Sequence, residues 1–365
     1  MPSVLVVAYF FPPLGGAGVQ RTLKFVRYLP DYGWLPYVLT VNDRASLQDP
    51  SLLAEIPAGT SISRTPVLRL PPGLPWRVRH FITRWFLIVD EQIMWMPFAL
   101  SAGRRIIQGR GGIHLIYSSS SPYTTHLVAR RLHDQSHLPW VADFRDPWIE
   151  NPFITFPTSL HTRVNEKLEQ AIFSEADRII VNTESTRQRY VQKYSHLPTS
   201  KISVIPNGYD PADIPASSER LDPTTTFSIV HLGSFSPKSR SSKYFLGALL
   251  KNLRTGALPP DQTKVRFIGD IDKETRKLVS QQNLEGVVDL ISYLPHRQAL
   301  SYLEMADLLL LIDSYGSGSD QFVPGKLYEY LACQKPILCL ADPGACAGLV
   351  LDAHAGSVTP PTDVD

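Results

Sequence analysis

Residues 321–337 read Gln321-Phe322-Val323-Pro324-Gly325-Lys326-Leu327-Tyr328-Glu329-Tyr330-Leu331-Ala332-Cys333-Gln334-Lys335-Pro336-Ile337. A Gly-containing turn opens a short run of helical period, and that run passes directly into an apolar strand candidate at 336–340. Turn, helix and buried strand in this order form one repeat of a parallel sheet covered on both faces. Glu329 falls near the first turns of the helix, where a carboxylate could accept hydrogen bonds from ribose hydroxyls. A surface glutamate is the plainer alternative.

The same rhythm extends in both directions. Strand candidates rich in Val, Ile and Leu stand at 227–232, 265–268, 288–292 and 308–312, with helices at 243–253, 273–282, 297–306 and 326–332 between them. An earlier set has strands at 4–8, 37–41, 113–118, 140–144, 178–182 and 201–205, and helices at 19–29, 124–137, 161–175 and 186–194. A Pro-, Ser- and Thr-rich stretch at 210–226 separates the two sets. The expectation is an α/β protein of two Rossmann-like doubly wound domains facing across a cleft: 1–212, a linker at 213–226, and 227–365. Such sheets bind ligands at the carboxyl ends of their strands, so the cleft is the default site.

Composition narrows the function classes. The 365 residues with 43% hydrophobic content can fill two cores. Lys plus Arg total 36 against 34 for Asp plus Glu, with no long run of either sign, which gives no case for nucleic acid. Cys333, Cys339 and Cys346 lack a CxxC pair or histidines at metal-ligand spacing, as in a reduced cytosolic protein. The N-terminal apolar stretch has no basic leader and runs into Pro12 and Pro13, unlike a signal peptide. No window reaches the roughly 18 apolar residues of a spanning helix. Residues 74–107 carry Trp76, Arg77, Arg79, Arg84, Trp85, Phe86, Met94, Trp95 and Met96. Two helices packing on the sheet are the plainer expectation there, and peripheral membrane contact through 76–96 is the alternative.

Four strings could carry chemistry. Pro13-Leu14-Gly15-Gly16-Ala17-Gly18 follows the first strand and opens a helix, a geometry that can present backbone N–H groups to a phosphate. It is not the GxGxxG fingerprint, and a plain turn is equally consistent with it. Asp143-Phe144-Arg145-Asp146 delivers two carboxylates and a guanidinium to a strand end, read as functional ahead of a structural ion pair. His231-Leu232-Gly233-Ser234-Phe235 ends a strand before a loop with Lys238, Arg240 and Lys243, cations suited to a diphosphate unless the loop is simply solvated. The fourth is 321–337.

Two other motifs are discounted. Asp270-Ile271-Asp272 spells the metal-binding DxD of another fold, but its place after a strand reads as a loop with a helix cap. Ser118 to Ser121 lack a Gly-x-Ser-x-Gly elbow and would line the cleft or cap the next helix.

Taken together, 15–18, 143–148, the string Val204-Ile205-Pro206-Asn207-Gly208-Tyr209-Asp210 and 323–337 resemble the GT-B retaining glycosyltransferases of family four, which build bacterial polysaccharides and glycolipids. The resemblance covers nearly the whole chain. It implies transfer of a sugar from a UDP- or GDP-linked donor to a saccharide or lipid-linked hydroxyl, with retention, no metal and no cofactor beyond the donor. The cysteines point to a cytoplasmic enzyme, and the Trp- and Arg-rich segment to one at the inner face of the cytoplasmic membrane as the alternative. Lys238 and Arg240 would hold the diphosphate, with Gly15, Gly16, Gly233, Val323, Pro324, Gly325 and Lys326 completing the donor site. The family's paired glutamates map onto Gln321 and Glu329, so the ribose position is kept and the first is changed. A family histidine is replaced in the neighbourhood of Arg145 and Asp146, which with Gln321 are the catalytic candidates. A closing helix that braces the N-terminal domain is expected to be missing after 356–359. Two rivals are a nucleotide-sugar epimerase on the same fold and a degenerate binder without turnover. A nicotinamide dehydrogenase is disfavoured by the missing glycine fingerprint.

Overall fold

A computed structural model describes residues 1–71, 73–109, 112–214, 226–236 and 239–363. The chain divides into two compact units, Met1–Pro206 and Asn207–Asp365. Most of the expected linker at 213–226 lies outside the described residues.

Unit 1 is built on seven parallel strands: β1 (Ser3–Val7), β2 (Leu35–Val41), β3 (Ser61–Thr65), β4 (Leu115–Ser120), β5 (Trp140–Phe144), β6 (Arg178–Val181) and β7 (Ile202–Val204). Their order is β3-β2-β1-β4-β5-β6-β7, with Val4 opposite both Pro36 and Leu115. The order reverses between β1 and β4, which makes the carboxyl ends of these two strands the switch point. Every residue of β1 is buried, because a central parallel strand is covered on both faces. The helices are α1 (Ala17–Tyr28), α2 (Trp76–Phe86), α3 (Met96–Gln108), α4 (Thr124–Ser136), α5 (Ser159–Glu175) and α6 (Glu184–Lys193).

Local chemistry fixes several helix starts. Gly16 precedes α1 at φ 91°, a conformation that a side chain would strain, and Val19, Leu23 and Val26 then turn one face inward. Thr158 and Thr183 cap α5 and α6 through their hydroxyls. For α4 the cap comes from afar: the Asp90 carboxylate accepts from the Thr124 amide at 2.9 Å and the Thr124 hydroxyl at 2.5 Å. The serines expected to cap that helix belong instead to β4 and the residue after it.

The segment 76–96 divides differently from the expected pair of packed helices. No residue of α2 is buried. Packing begins with the 3-10 turn Glu91–Trp95, where the fully buried Trp95 donates its indole N–H to Thr65 Oγ1 at 2.7 Å, and continues in α3. No helix among the described residues is long and apolar enough to cross a membrane.

Unit 2 repeats the plan with β8 (Phe227–Leu232), β9 (Thr263–Ile268), β10 (Val288–Ile291), β11 (Leu308–Ile312), β12 (Ile337–Leu340) and β13 (Gly356–Thr359), ordered β10-β9-β8-β11-β12-β13. Its helices are α7 (Lys243–Thr255), α8 (Lys273–Gln281), α9 (His296–Glu304), α10 (Gly325–Ala332) and α11 (Ala345–Asp352). Alternate residues feed opposite faces. Val230, Leu232, Leu309 and Leu311 enter one core with Leu327 and Tyr330, while Ile229, Leu310 and Ile312 enter the other with Phe267. The switch point of this sheet lies between β8 and β11. Asp272 caps α8 by accepting from the Glu274 and Thr275 amides, as expected for that loop.

Candidate functional site

The switch point of unit 2 gathers three basic side chains. His231, fully buried near the end of β8, has Nδ1 2.9 Å from the Leu310 carbonyl. A carbonyl only accepts, so Nδ1 carries the proton and Nε2 keeps its lone pair. Lys326, in the first turn of α10, places Nζ 3.4 Å from that Nε2. Its stem runs over Gly233, whose φ is +125° and where an added Cβ would stand 3.1 Å from Nζ. Gly233 is therefore required twice, for its backbone conformation and for the space the lysine fills.

Arg240 completes the group. Its Nε is buried and has no hydrogen-bond partner among the described residues. Its loop is fixed by paired backbone bonds between Ser236 and Arg240 and by the Tyr315 amide donating to the Ser239 carbonyl at 3.0 Å. Lys238 lies outside the described residues. Burial, then the charge of Arg240, pushes the Lys326 ammonium down to about 7, with Asp313 opposing. Burial, then Lys326, holds His231 well below its ordinary value. Burial likewise pushes the Asp313 carboxyl up, against its hydrogen bonds and the two cations. Neither Lys326 nor Arg240 forms an ion pair with a described residue.

Helix α10 is pinned so that these groups hold their places. Tyr330 accepts from the Leu232 amide at 2.8 Å and donates to the Leu310 carbonyl at 3.3 Å, while Leu327 packs in the core. Val323 is also a core residue. Pro324 and Gly325 form the helix start, where first-turn N–H groups lack helical partners. Glu329, on the same helix, meets His296 at 2.7 Å, the two side chains being 19% and 16% exposed. His296 opens α9 and lies 33 residues away in sequence, so nothing local announced it. Gln321 is buried in the 3-10 turn Ser319–Gln321, its amide donating to the Gly318 carbonyl.

At the switch point of unit 1 the charged strand end separates into distinct roles. Asp143 is fully buried rather than on a rim. It accepts two bonds of 2.9 Å from Arg21, one of 2.6 Å from the Tyr117 hydroxyl and one of 2.9 Å from Ser119. Burial alone would push this carboxyl up, but Arg21 and these hydrogen bonds leave it lowered. Arg21 also donates to the Ile205 and Pro206 carbonyls, tying α1 and β5 to the chain after β7. The reading of 143–146 as functional ahead of a structural ion pair is corrected for Asp143. Ser118 is likewise internal, paired with His126 and Trp140.

Arg145 donates to three backbone carbonyls, those of Ser120, Gly18 and Ser121, at 2.5, 2.9 and 2.9 Å. It thereby fastens the Gly15–Gly18 turn to the serine loop across the switch point. Gly15 in turn donates its amide to the Leu47 carbonyl at 2.9 Å. The half-buried Asp146 accepts no hydrogen bond from the described residues, and burial pushes its carboxyl up against the pull of Arg145. Among the described residues no cluster of three His, Cys, Asp or Glu side chains could hold a metal ion.

Two doubly wound units of closely matching strand order, the second with a cationic switch point, are the two-Rossmann-domain architecture of the GT-B fold. The chain belongs to glycosyltransferase family 4: the model of Glycosyltransferase Family 4 matches residues 15–213, and that of Glycosyl transferases group 1 matches residues 226–365. No curated protein sequence matches it. Among solved structures, sucrose-phosphate synthase from Thermosynechococcus elongatus is 16% identical with a TM-score of 0.71, covering 100% of this chain and 87% of its own. HepE from Anabaena, solved with UDP and glucose, is 17% identical with a TM-score of 0.65 and the same coverage. S. aureus MnaA, solved with UDP, is 12% identical with a TM-score of 0.54, covering 100% of this chain and 86% of its own. At these identities the likeness is one of fold.

Proposed function

We propose that the chain transfers a sugar from a nucleoside-diphosphate donor to an acceptor hydroxyl, with retention and without a metal. The observation that carries this is the buried Lys326 over Gly233 with Arg240 beside it, neither ion-paired with a described residue, at the carboxyl end of a Rossmann strand. In the reaction the bond from the anomeric carbon to the diphosphate oxygen breaks, its electron pair leaves with the nucleoside diphosphate, and the acceptor oxygen bonds to the same carbon as its hydroxyl proton passes to the departing diphosphate oxygen. Fixed cations beside the departing oxygens stabilise that charge without reorganising. Glu329, oriented by His296, accepts from the ribose hydroxyls, and the start of α10 at Pro324 and Gly325 presents its amides. Asp146 is assigned to the acceptor side and Arg145 to positioning, because its donors hold the two loops. HepE and MnaA, solved with UDP, support a uridine donor, with a guanosine donor next.

The test is calorimetric titration of UDP-glucose and GDP-mannose. One of them should bind, and Glu329→Ala should weaken it by about 10- to 100-fold, the worth of a charged hydrogen bond, with the melting temperature unchanged. Unaltered binding in that variant removes Glu329 from the site. An epimerase would convert the donor with no acceptor present, which product analysis detects.

We further propose that the acceptor is lipid-linked and that α2 docks on the anionic inner face of the cytoplasmic membrane. No acidic residue occurs between Glu55 and Asp90, whereas α2 carries Arg77, Arg79 and Arg84 beside exposed Trp76, Phe81, Trp85 and Phe86. Each arginine near an anionic surface contributes about 1 kcal/mol, so removing all three should weaken binding to phosphatidylglycerol vesicles on the order of 100-fold. A wild-type protein that never sediments with such vesicles refutes the docking.

A further inference from the structure

We propose that His231 is a positioning residue that presents Lys326 to the donor diphosphate, and that binding the donor draws one proton onto this lysine. The inference rests on the donor-site reading above and adds a residue and a linkage to it. His231 is clamped by three contacts: its Nδ1–H on the Leu310 carbonyl, Phe235 stacked with ring centroids 4.6 Å apart, and Phe267 edge-on at 6.0 Å. Ring and tautomer are therefore both fixed, and Nε2 aims a lone pair at Lys326 Nζ. A neutral imidazole can accept from an ammonium but cannot balance its charge.

The other groups facing Lys326 compensate that charge only in part. Arg240, from the loop before α7, repels it. Asp313, after β11, is a carboxylate that burial makes hard to ionise. Cys339 of β12 and Cys346 of α11 are buried thiols, and the hydrogen bond with Cys339, then burial, pushes the Cys346 thiol up. With a lysine near 7, the free site holds a fraction of Lys326 neutral at physiological pH. An incoming diphosphate supplies the missing negative charge to Lys326 and Arg240 together, which restores the full ammonium. His231 then fixes where that ammonium stands.

The experiment uses UDP-glucose and GDP-mannose, whose esterified diphosphates keep constant charge, titrated by calorimetry from pH 6.0 to 8.5 in two buffers of different ionisation heat. With a free-site value of about 7, wild-type Kd should rise about 30-fold across this range, and proton uptake should approach one near pH 8. Lys326→Arg, permanently charged, should bind with a flat profile. His231→Leu should move the midpoint of the profile down by about one pH unit, since a hydrogen bond to a charged group is worth about tenfold. His231→Gln, whose amide can donate to Leu310 and accept from Lys326, should restore it. If neither nucleotide sugar binds, or Glu329→Ala changes nothing, the donor-site reading falls and this inference with it. If the donor binds but wild type shows no proton uptake, or Lys326→Arg keeps the wild-type slope, the inference alone is overturned. A folded His231→Leu protein, verified by its melting temperature, with an unmoved midpoint overturns it equally.

Discussion

Replacing Asp143 by Asn tests whether the charged end of β5 is structural. The amide matches the carboxylate in shape, but one of its two heads can only donate. All four groups that Asp143 meets are donors: two N–H groups of Arg21, the Tyr117 hydroxyl and the Ser119 hydroxyl. Whichever way the new amide turns, one side of the network faces a donor with a donor. Arg21, with a side chain 5% exposed, is left as a buried cation held by the Ile205 and Pro206 carbonyls. Breaking a buried pair in this manner costs about 3–5 kcal/mol. With a urea slope of about 2–3 kcal/mol/M, the midpoint should fall by roughly 1–2 M. The assay is favourable because all six tryptophans, at 34, 76, 85, 95, 140 and 148, lie in unit 1, so their fluorescence reports its unfolding alone. The lowered carboxyl also fixes a pH signature. Its contribution is present above the unfolded value of about 3.9 and is lost as pH falls through the lower folded one. Wild-type unit 1 should therefore lose stability below about pH 4, and the variant should lack that component. A loss under about 1 kcal/mol in Asp143→Asn would refute the reasoning.

Gly233→Ala combines a strained φ with displacement of Lys326, and should cost on the order of 1–2 kcal/mol while weakening donor binding more than tenfold. A variant binding like wild type contradicts the placement of Lys326 over Gly233. Asp272→Ala removes the cap of α8 and should cost about 1 kcal/mol, with transferase activity insensitive to a chelator before and after. Chelator-sensitive activity lost in this variant would return the DxD string to a metal role. Lys326→Met should stabilise unit 2 below about pH 7, where the buried lysine is charged at full cost. The gain should fade toward the unfolded lysine value of about 10.4. Calorimetric melts at pH 6 and pH 10 that show the same gain would dismiss the burial argument.

The strand and helix rhythm was legible because a strand covered on both faces is apolar throughout, as 308–312 and 4–8 are. Two elements escaped for the opposite reason. The strand β3 reads Ser-Ile-Ser-Arg-Thr, an edge with one large apolar residue, and α11 reads Ala-Cys-Ala-Gly-Leu-Val-Leu-Asp, whose small and apolar residues show no period. Local chemistry was also readable, as with the Asp272 cap, which acts two and three residues away. Partnerships across the fold were not. Arg21 and Asp143 are 122 residues apart and His231 and Lys326 are 95 apart, distances that only the sheet order closes. The same holds for Asp90, whose service to α4 hides within a segment read for its aromatic and basic texture.

The outermost strands of both sheets are short: five residues in β3, three in β7, four in β10 and four in β13. An edge strand offers unpaired amides and carbonyls to any passing chain, and the hazard grows with its length and flatness. With at most five residues to offer, each edge gives a would-be partner few bonds against the entropy of ordering it. Sheet-to-sheet recruitment is thus a weak route to aggregation for this protein. Exposed Trp76, Phe81, Trp85 and Phe86 of α2 offer more apolar area to a neighbour than these edges do, so precipitation should respond to detergent far more than to substitutions along a strand.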